Sequence, residues 1–77
     1  MLYYKVKKEY DGTRLIQFNK KKNFWFFDRE LVKNELYTEN ELKKYKDSGL
    51  TNDMFDIIKI PKSKIYWFFG ARFEKEA

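Results

Sequence analysis

The sequence predicts a single small α+β domain over residues 1–77. It consists of an antiparallel sheet of about five strands and one short helix, in the order β-β-β-α-β-β. Three observations carry this expectation. Residues 2–6 alternate in polarity, Thr38, Glu39, Asn40 and Glu41 spell a capping box, and the runs at 24–27 and 65–69 are apolar on both parities.

Leu2, Tyr4 and Val6 alternate with Tyr3, Lys5 and Lys7, the period of a half-buried strand, and Asp11-Gly12 marks a turn. A two-residue turn there would set Val6 against Gln17 and Tyr4 against Asn19, which spoils the apolar face. A three-residue loop of Tyr10, Asp11 and Gly12, with Gly12 left-handed in a bulge, sets Val6 against Ile16 and Tyr4 against Phe18. The bulged hairpin is the expected register. Lys20, Lys21, Lys22 and Asn23 then form a basic turn into Phe24, Trp25, Phe26 and Phe27. Residues 29–36 follow no single period, and a short continuation strand through Leu31 and Val32 is one reading of them.

The helix start is the clearest local signal. The Thr38 hydroxyl can accept from the Glu41 amide while the Glu41 carboxylate reaches back, and Tyr37 and Leu42 are spaced as a hydrophobic staple. Glu39 and Glu41 in the first turn and Lys43, Lys44 and Lys46 in the last suit the macrodipole, and Ser48-Gly49 ends the helix. At roughly nine residues it is marginal alone, so it must dock through Leu42, Tyr45 and Leu50. Residues 55–60 and 64–69 read as a second hairpin around Pro61, Lys62 and Ser63. Pairing Ile60 with Ile65 sets Ile58 against Trp67 and Ile57 against Phe68.

Composition bounds the chemistry. The chain has no Cys and no His, which removes disulfides, thiolate nucleophiles, Cys-ligated zinc and the commonest general base. Asp28/Glu30, Glu39/Glu41 and Asp53/Asp56 are the close carboxylate pairs, and capping, turns and strand edges account for them. The three glycines form no phosphate-cradling motif, and Ser48 and Ser63 lack a histidine to activate them. The expectation is a protein that is not an enzyme and needs no cofactor or metal. The longest uncharged apolar stretch, residues 65–71, is far short of the roughly 20 residues that cross a bilayer, and residues 1–5 contain no leader-like apolar region. A cytoplasmic protein without a membrane partner is expected.

Seventeen Lys and Arg face 12 Asp and Glu, for a net charge of +5. Residues 1–22 carry seven basic and two acidic groups, residues 23–58 five and eight, and residues 59–77 five and two, so both ends are basic around an acidic middle. Part of the lysine excess is matched by Phe, Tyr, Asn and Ile, all residues with A/T-rich codons, so composition alone does not make the charge functional. Lysines interleaved with rings are nonetheless what single-stranded nucleic acid needs, namely stacking platforms beside a cationic track. The candidates are Lys5, Lys7, Lys20, Lys21, Lys22, Lys62, Lys64 and Arg72 for phosphates, with Trp25, Tyr66 and Trp67 as platforms. Core packing is the competing role for each ring.

One short helix covers only one face of a sheet, yet two strands are apolar on both. Either the sheet curls toward a small barrel or a second surface covers it: another copy of the chain, a partner protein or stacked bases. The segments Glu35-Leu36-Tyr37-Thr38-Glu39-Asn40-Glu41-Leu42 and Tyr66-Trp67-Phe68-Phe69-Gly70-Ala71-Arg72-Phe73 resemble small phage and prophage proteins of low-GC Gram-positive bacteria. The resemblance covers roughly the second half of the chain. It implies a size class, a bacterial host and a partner among host or phage macromolecules, and it assigns no functional residue. The functions expected are nucleic-acid binding through basic hairpins, docking on a host or phage protein, or a structural homodimer.

Overall fold

This computed structural model describes residues 1–76. The elements are β1 (Leu2–Val6), β2 (Arg14–Asn19), β3 (Phe24–Glu30), β4 (Leu36–Tyr37), α1 (Glu39–Lys43), β5 (Phe55–Lys59), β6 (Ile65–Phe68) and β7 (Ala71–Glu74). The α+β class is the one its sequence indicates, but the strands fall into three small antiparallel sheets, β4-β1-β5, β2-β3 and β6-β7. Among the described residues no sheet closes into a barrel.

β1 is the central strand. Tyr4 pairs with Tyr37 of β4, and Leu2 and Val6 pair with Lys59 and Phe55 of β5. Its alternation shows only half of its environment, because Val6 and Tyr3, on opposite faces, are both buried. The Val6 face meets the main cluster of Leu15, Leu31, Tyr37, Met54 and Phe55, against which Leu42, Tyr45 and Leu50 pack. That is the docking expected of the helical segment. The Tyr3 face is covered by the β6-β7 hairpin, whose Arg72 lies 5.9 Å from the Tyr3 ring and donates to the Leu36 carbonyl at 2.9 Å. The Tyr3 side of β1 is thus covered within the chain, whereas the rings of the two-sided runs at 24–27 and 66–69 stay exposed.

The capping box forms as expected: the Glu41 N–H donates to the Thr38 hydroxyl at 3.2 Å and the Thr38 N–H donates to the Glu41 carboxylate at 2.9 Å. The α-helix stops after Lys43, sooner than its pattern suggests, and a 3-10 turn at Lys46–Ser48 leads to Gly49 at φ 77°.

Both hairpins expected from the turn residues are replaced by others. β1 does not pair with β2. Both its edges are already bonded, to β4 and to β5, so the chain turns through Lys8–Tyr10 and Gly12 (φ 84°) into a separate sheet. β2 instead pairs with β3 around the lysine turn, Phe18 facing Trp25 and Asn19 facing Phe24. β5 does not pair with β6, because β5 lies along β1 and Pro61 with the Lys62–Lys64 turn diverts the chain. β6 pairs with β7, a strand concealed in the sequence by the apolar run before it, with Phe68 facing Ala71. Residues 31–35 are not a continuation strand. Leu31 plugs the core, Val32 is exposed, and the turn is held by the Val32 N–H donating to the Tyr37 hydroxyl at 2.9 Å.

Candidate nucleic-acid interface

The β2-β3 hairpin gathers the largest share of the expected site on one element. Its register places Ile16, Phe18, Trp25 and Phe27 on one face and Gln17, Phe24 and Phe26 on the other. Five of these rings, Phe18, Phe24, Trp25, Phe26 and Phe27, are exposed, with half of Trp25 (51%) open to solvent. Phe18 and Trp25 pack at 5.1 Å with a tilt of 53°, and Phe24 meets Phe26 edge-on at 6.3 Å. Lys20, Lys21 and Lys22 form the exposed turn at the tip. The turn is closed by the Lys22 N–H donating to the Asn19 side-chain carbonyl at 3.1 Å and by Asn23 at φ 55°, a conformation asparagine tolerates. From Gly12 to Phe27 the sequence contains no carboxylate. Among the described residues none of the three tip lysines forms a salt bridge.

The base of the hairpin is bolted to the body. A bulge between Leu15 and Ile16 leaves Asp28 as the extra residue on β3. The Asp28 carboxylate accepts from the Tyr45 hydroxyl at 2.6 Å and from the Gln17 amide at 2.7 Å. These two donors, Tyr45 first, hold its pKa below the ordinary value, so it stays ionised and occupied. Tyr45 is pushed up to about 12 by burial and by the adjacent Asp28 carboxylate. Ser48 accepts from the Ile16 N–H at 2.9 Å and donates to the Ile16 carbonyl at 3.3 Å. Arg29 pairs with the buried Glu35 and lies over the Tyr37 ring at 5.6 Å. Ser48 and Tyr45 had no sequence signal beyond a turn and a helix face.

The other expected residues are distributed over the rest of the molecule. Lys62, Trp67 and Arg72 line one hollow of about 310 Å³ with Tyr3, Thr38 and Ile65. Arg72 is not free for a phosphate. Its guanidinium donates to Glu41 at 2.6 Å and to Leu36, and lies 4.7 Å from the Trp67 ring centre, which makes it a residue that positions Trp67. Lys5 and Tyr66 line a second hollow of about 550 Å³, where Glu74 and Glu76 offset Lys5 and Lys75. Tyr66 is stacked on Phe73 at 5.8 Å. Lys7 is half-buried, with its backbone N–H bonded to the Met54 carbonyl, and Lys64 is exposed on the turn before β6. Among the described residues no group of three or more Asp or Glu side chains is gathered to hold a metal ion, and no helix is long and apolar enough to cross a membrane. Comparisons with protein-family models, curated proteins and solved structures give no match to this chain.

Proposed function

We propose that this protein is a non-enzymatic accessory module of phage type, working in the bacterial cytoplasm, that binds single-stranded nucleic acid through the β2-β3 hairpin. The observation that supports this most is an acid-free segment in which three tip lysines, none of them in a salt bridge among the described residues, are flanked by five exposed rings, Phe18 before them and Phe24, Trp25, Phe26 and Phe27 after, on a base anchored by Asp28 and Ser48. Bases stack on Trp25, Phe18 and Phe27 while Lys20, Lys21 and Lys22 meet phosphates, a combination that tolerates sequence because every base has a π-face. Anchoring at Asp28 and Ser48 limits the ordering cost of binding.

The test is Trp25 fluorescence, read in a Trp67→Phe variant so that Trp25 is the sole tryptophan, during titration with mixed-sequence single-stranded DNA and RNA at about 50 mM salt, where phosphate contacts are strong. Saturable binding that quenches Trp25 supports the reading. Affinity no better than that of a lysine homopolymer of matched charge overturns it. The second reading, a docking surface for a host or phage protein, is favoured by the face of Ile16, Phe18, Trp25 and Phe27, on which three exposed rings share one side of the hairpin and Phe18 packs on Trp25. Capture of a partner that survives high salt would support that reading over the first. Self-association on this surface would show in light scattering across a concentration series.

A further inference from the structure

The turn joining β6 to β7 is built from Phe69 and Gly70, with Phe68 paired directly to Ala71, and both turn residues have positive φ, 49° at Phe69 and 77° at Gly70. This is a two-residue turn of the type that ordinarily takes Asn-Gly, because only Asn, Asp and Gly enter the left-handed region cheaply. Phenylalanine there is strained, and its ring gains little packing in return, since Phe69 is 94% exposed and meets Phe68 edge-on at 4.6 Å. Phe68 and Trp67 beside it are also exposed, Trp67 at 63%.

Of these rings Trp67 alone lines the hollow of about 310 Å³ that Arg72 and Lys62 also line, and no carboxylate lines it. Glu41 pairs with the Arg72 guanidinium, and among the described residues Lys62 forms no salt bridge. Arg72 also fixes the Trp67 ring from one side, so a planar ligand stacking on the other side orders little that is not already ordered. The hollow is large enough for one nucleobase, with Lys62 within the same hollow for its phosphate.

We infer that the β6-β7 hairpin is a second stacking platform for single-stranded nucleic acid, with Trp67 holding a base at the hollow, Lys62 meeting a phosphate and Phe69 the ring presented at the turn. This rests on the nucleic-acid reading of the β2-β3 hairpin. It explains why a strained turn keeps a ring in solvent, and it adds a contact beyond the lysine tip.

The experiment compares Phe69→Asn, Trp67→Ala and Trp25→Ala with the unmodified chain, using oligothymidylate of about 16 nucleotides, within the range of site sizes seen for single-strand binders. Phe69→Asn relieves the turn, so Tm should rise by about 4 °C. The same variant and Trp67→Ala should each lose roughly ten-fold in affinity. A gain in stability with a loss in binding separates a binding ring from a structural one. If both variants bind as the unmodified chain does while Trp25→Ala weakens binding, the second platform is overturned and the first stands. If the unmodified chain binds no better than a lysine homopolymer, both fall. If Phe69→Asn keeps its affinity but dissociates a dimer in light scattering, the ring belongs to self-association and the inference is overturned.

Discussion

Leu15, Leu31 and Leu36 are the most completely buried side chains, and Leu15 fills the core from the first strand of the hairpin that carries the lysine tip. Leu15→Ala should cost about 2–5 kcal/mol, since a core leucine leaves both lost burial and a cavity, as read from chemical denaturation. Glu41 serves two structures at once, the capping box and the Arg72 pair. Burial acts to raise its pKa, but hydrogen bonds from Arg72 and Thr38 outweigh burial and hold it below the ordinary 4.5. A carboxyl with a lower pKa folded than unfolded stabilises the fold above its unfolded pKa, and that stability is lost as pH falls through the folded value. Thermal melts should therefore show Tm dropping as pH falls below 4.5, with a smaller drop in Glu41→Gln, which cannot titrate. The capping half of this arrangement is legible in the sequence because it is local. The Arg72 half is not, because those residues are 31 positions apart and meet only after β7 folds onto the sheet.

The two exposed hairpins show what turn chemistry can and cannot say about an element. Gly12, the lysine turn and Gly49 sit where their residues imply, all in turns or helix ends, yet turn signals do not name the strand's partner. Partner choice followed from edges: once β1 had β4 on one side and β5 on the other, β2 had to pair with β3. The Phe69-Gly70 turn hid behind its own apolar run, since phenylalanine is the wrong residue for that conformation. At the β2-β3 base, Ser48→Ala removes both hydrogen bonds to Ile16. It should lower stability by about 1 kcal/mol and speed amide exchange in β2, as measured by hydrogen exchange. Trp25→Ala leaves the anchored base intact, so its melting temperature should stay near that of the unmodified chain while oligonucleotide affinity falls roughly ten-fold.

The molecule extends 46 Å along its longest axis and only 24 and 19 Å across. A surplus of apolar strand faces was legible in the composition and the two-sided runs; its resolution was not. The helical segment and the β6-β7 hairpin pack on opposite faces of the β4-β1-β5 sheet, where Leu2 and Ile57 stay exposed, and most of the uncovered apolar surface lies on the β2-β3 hairpin and at Tyr66, Trp67, Phe68 and Phe69. Part of the expected phosphate track behaves otherwise than its residue types suggest: Arg72 is engaged inside the protein and Lys5 faces carboxylates, whereas Lys20, Lys21 and Lys22 are solvent-exposed beside rings. The central claim is that these three lysines meet phosphates, and salt dependence tests it most directly. Affinity for a single-stranded oligonucleotide is measured from about 50 to 200 mM salt for the unmodified chain and for the variant with Lys20, Lys21 and Lys22 all changed to Gln. The expected result is a linear fall of log K with log salt whose slope shrinks by about 2 in the variant, close to 0.7 for each phosphate that a lysine no longer neutralises. An unchanged slope, or no binding above that of a lysine homopolymer, contradicts it.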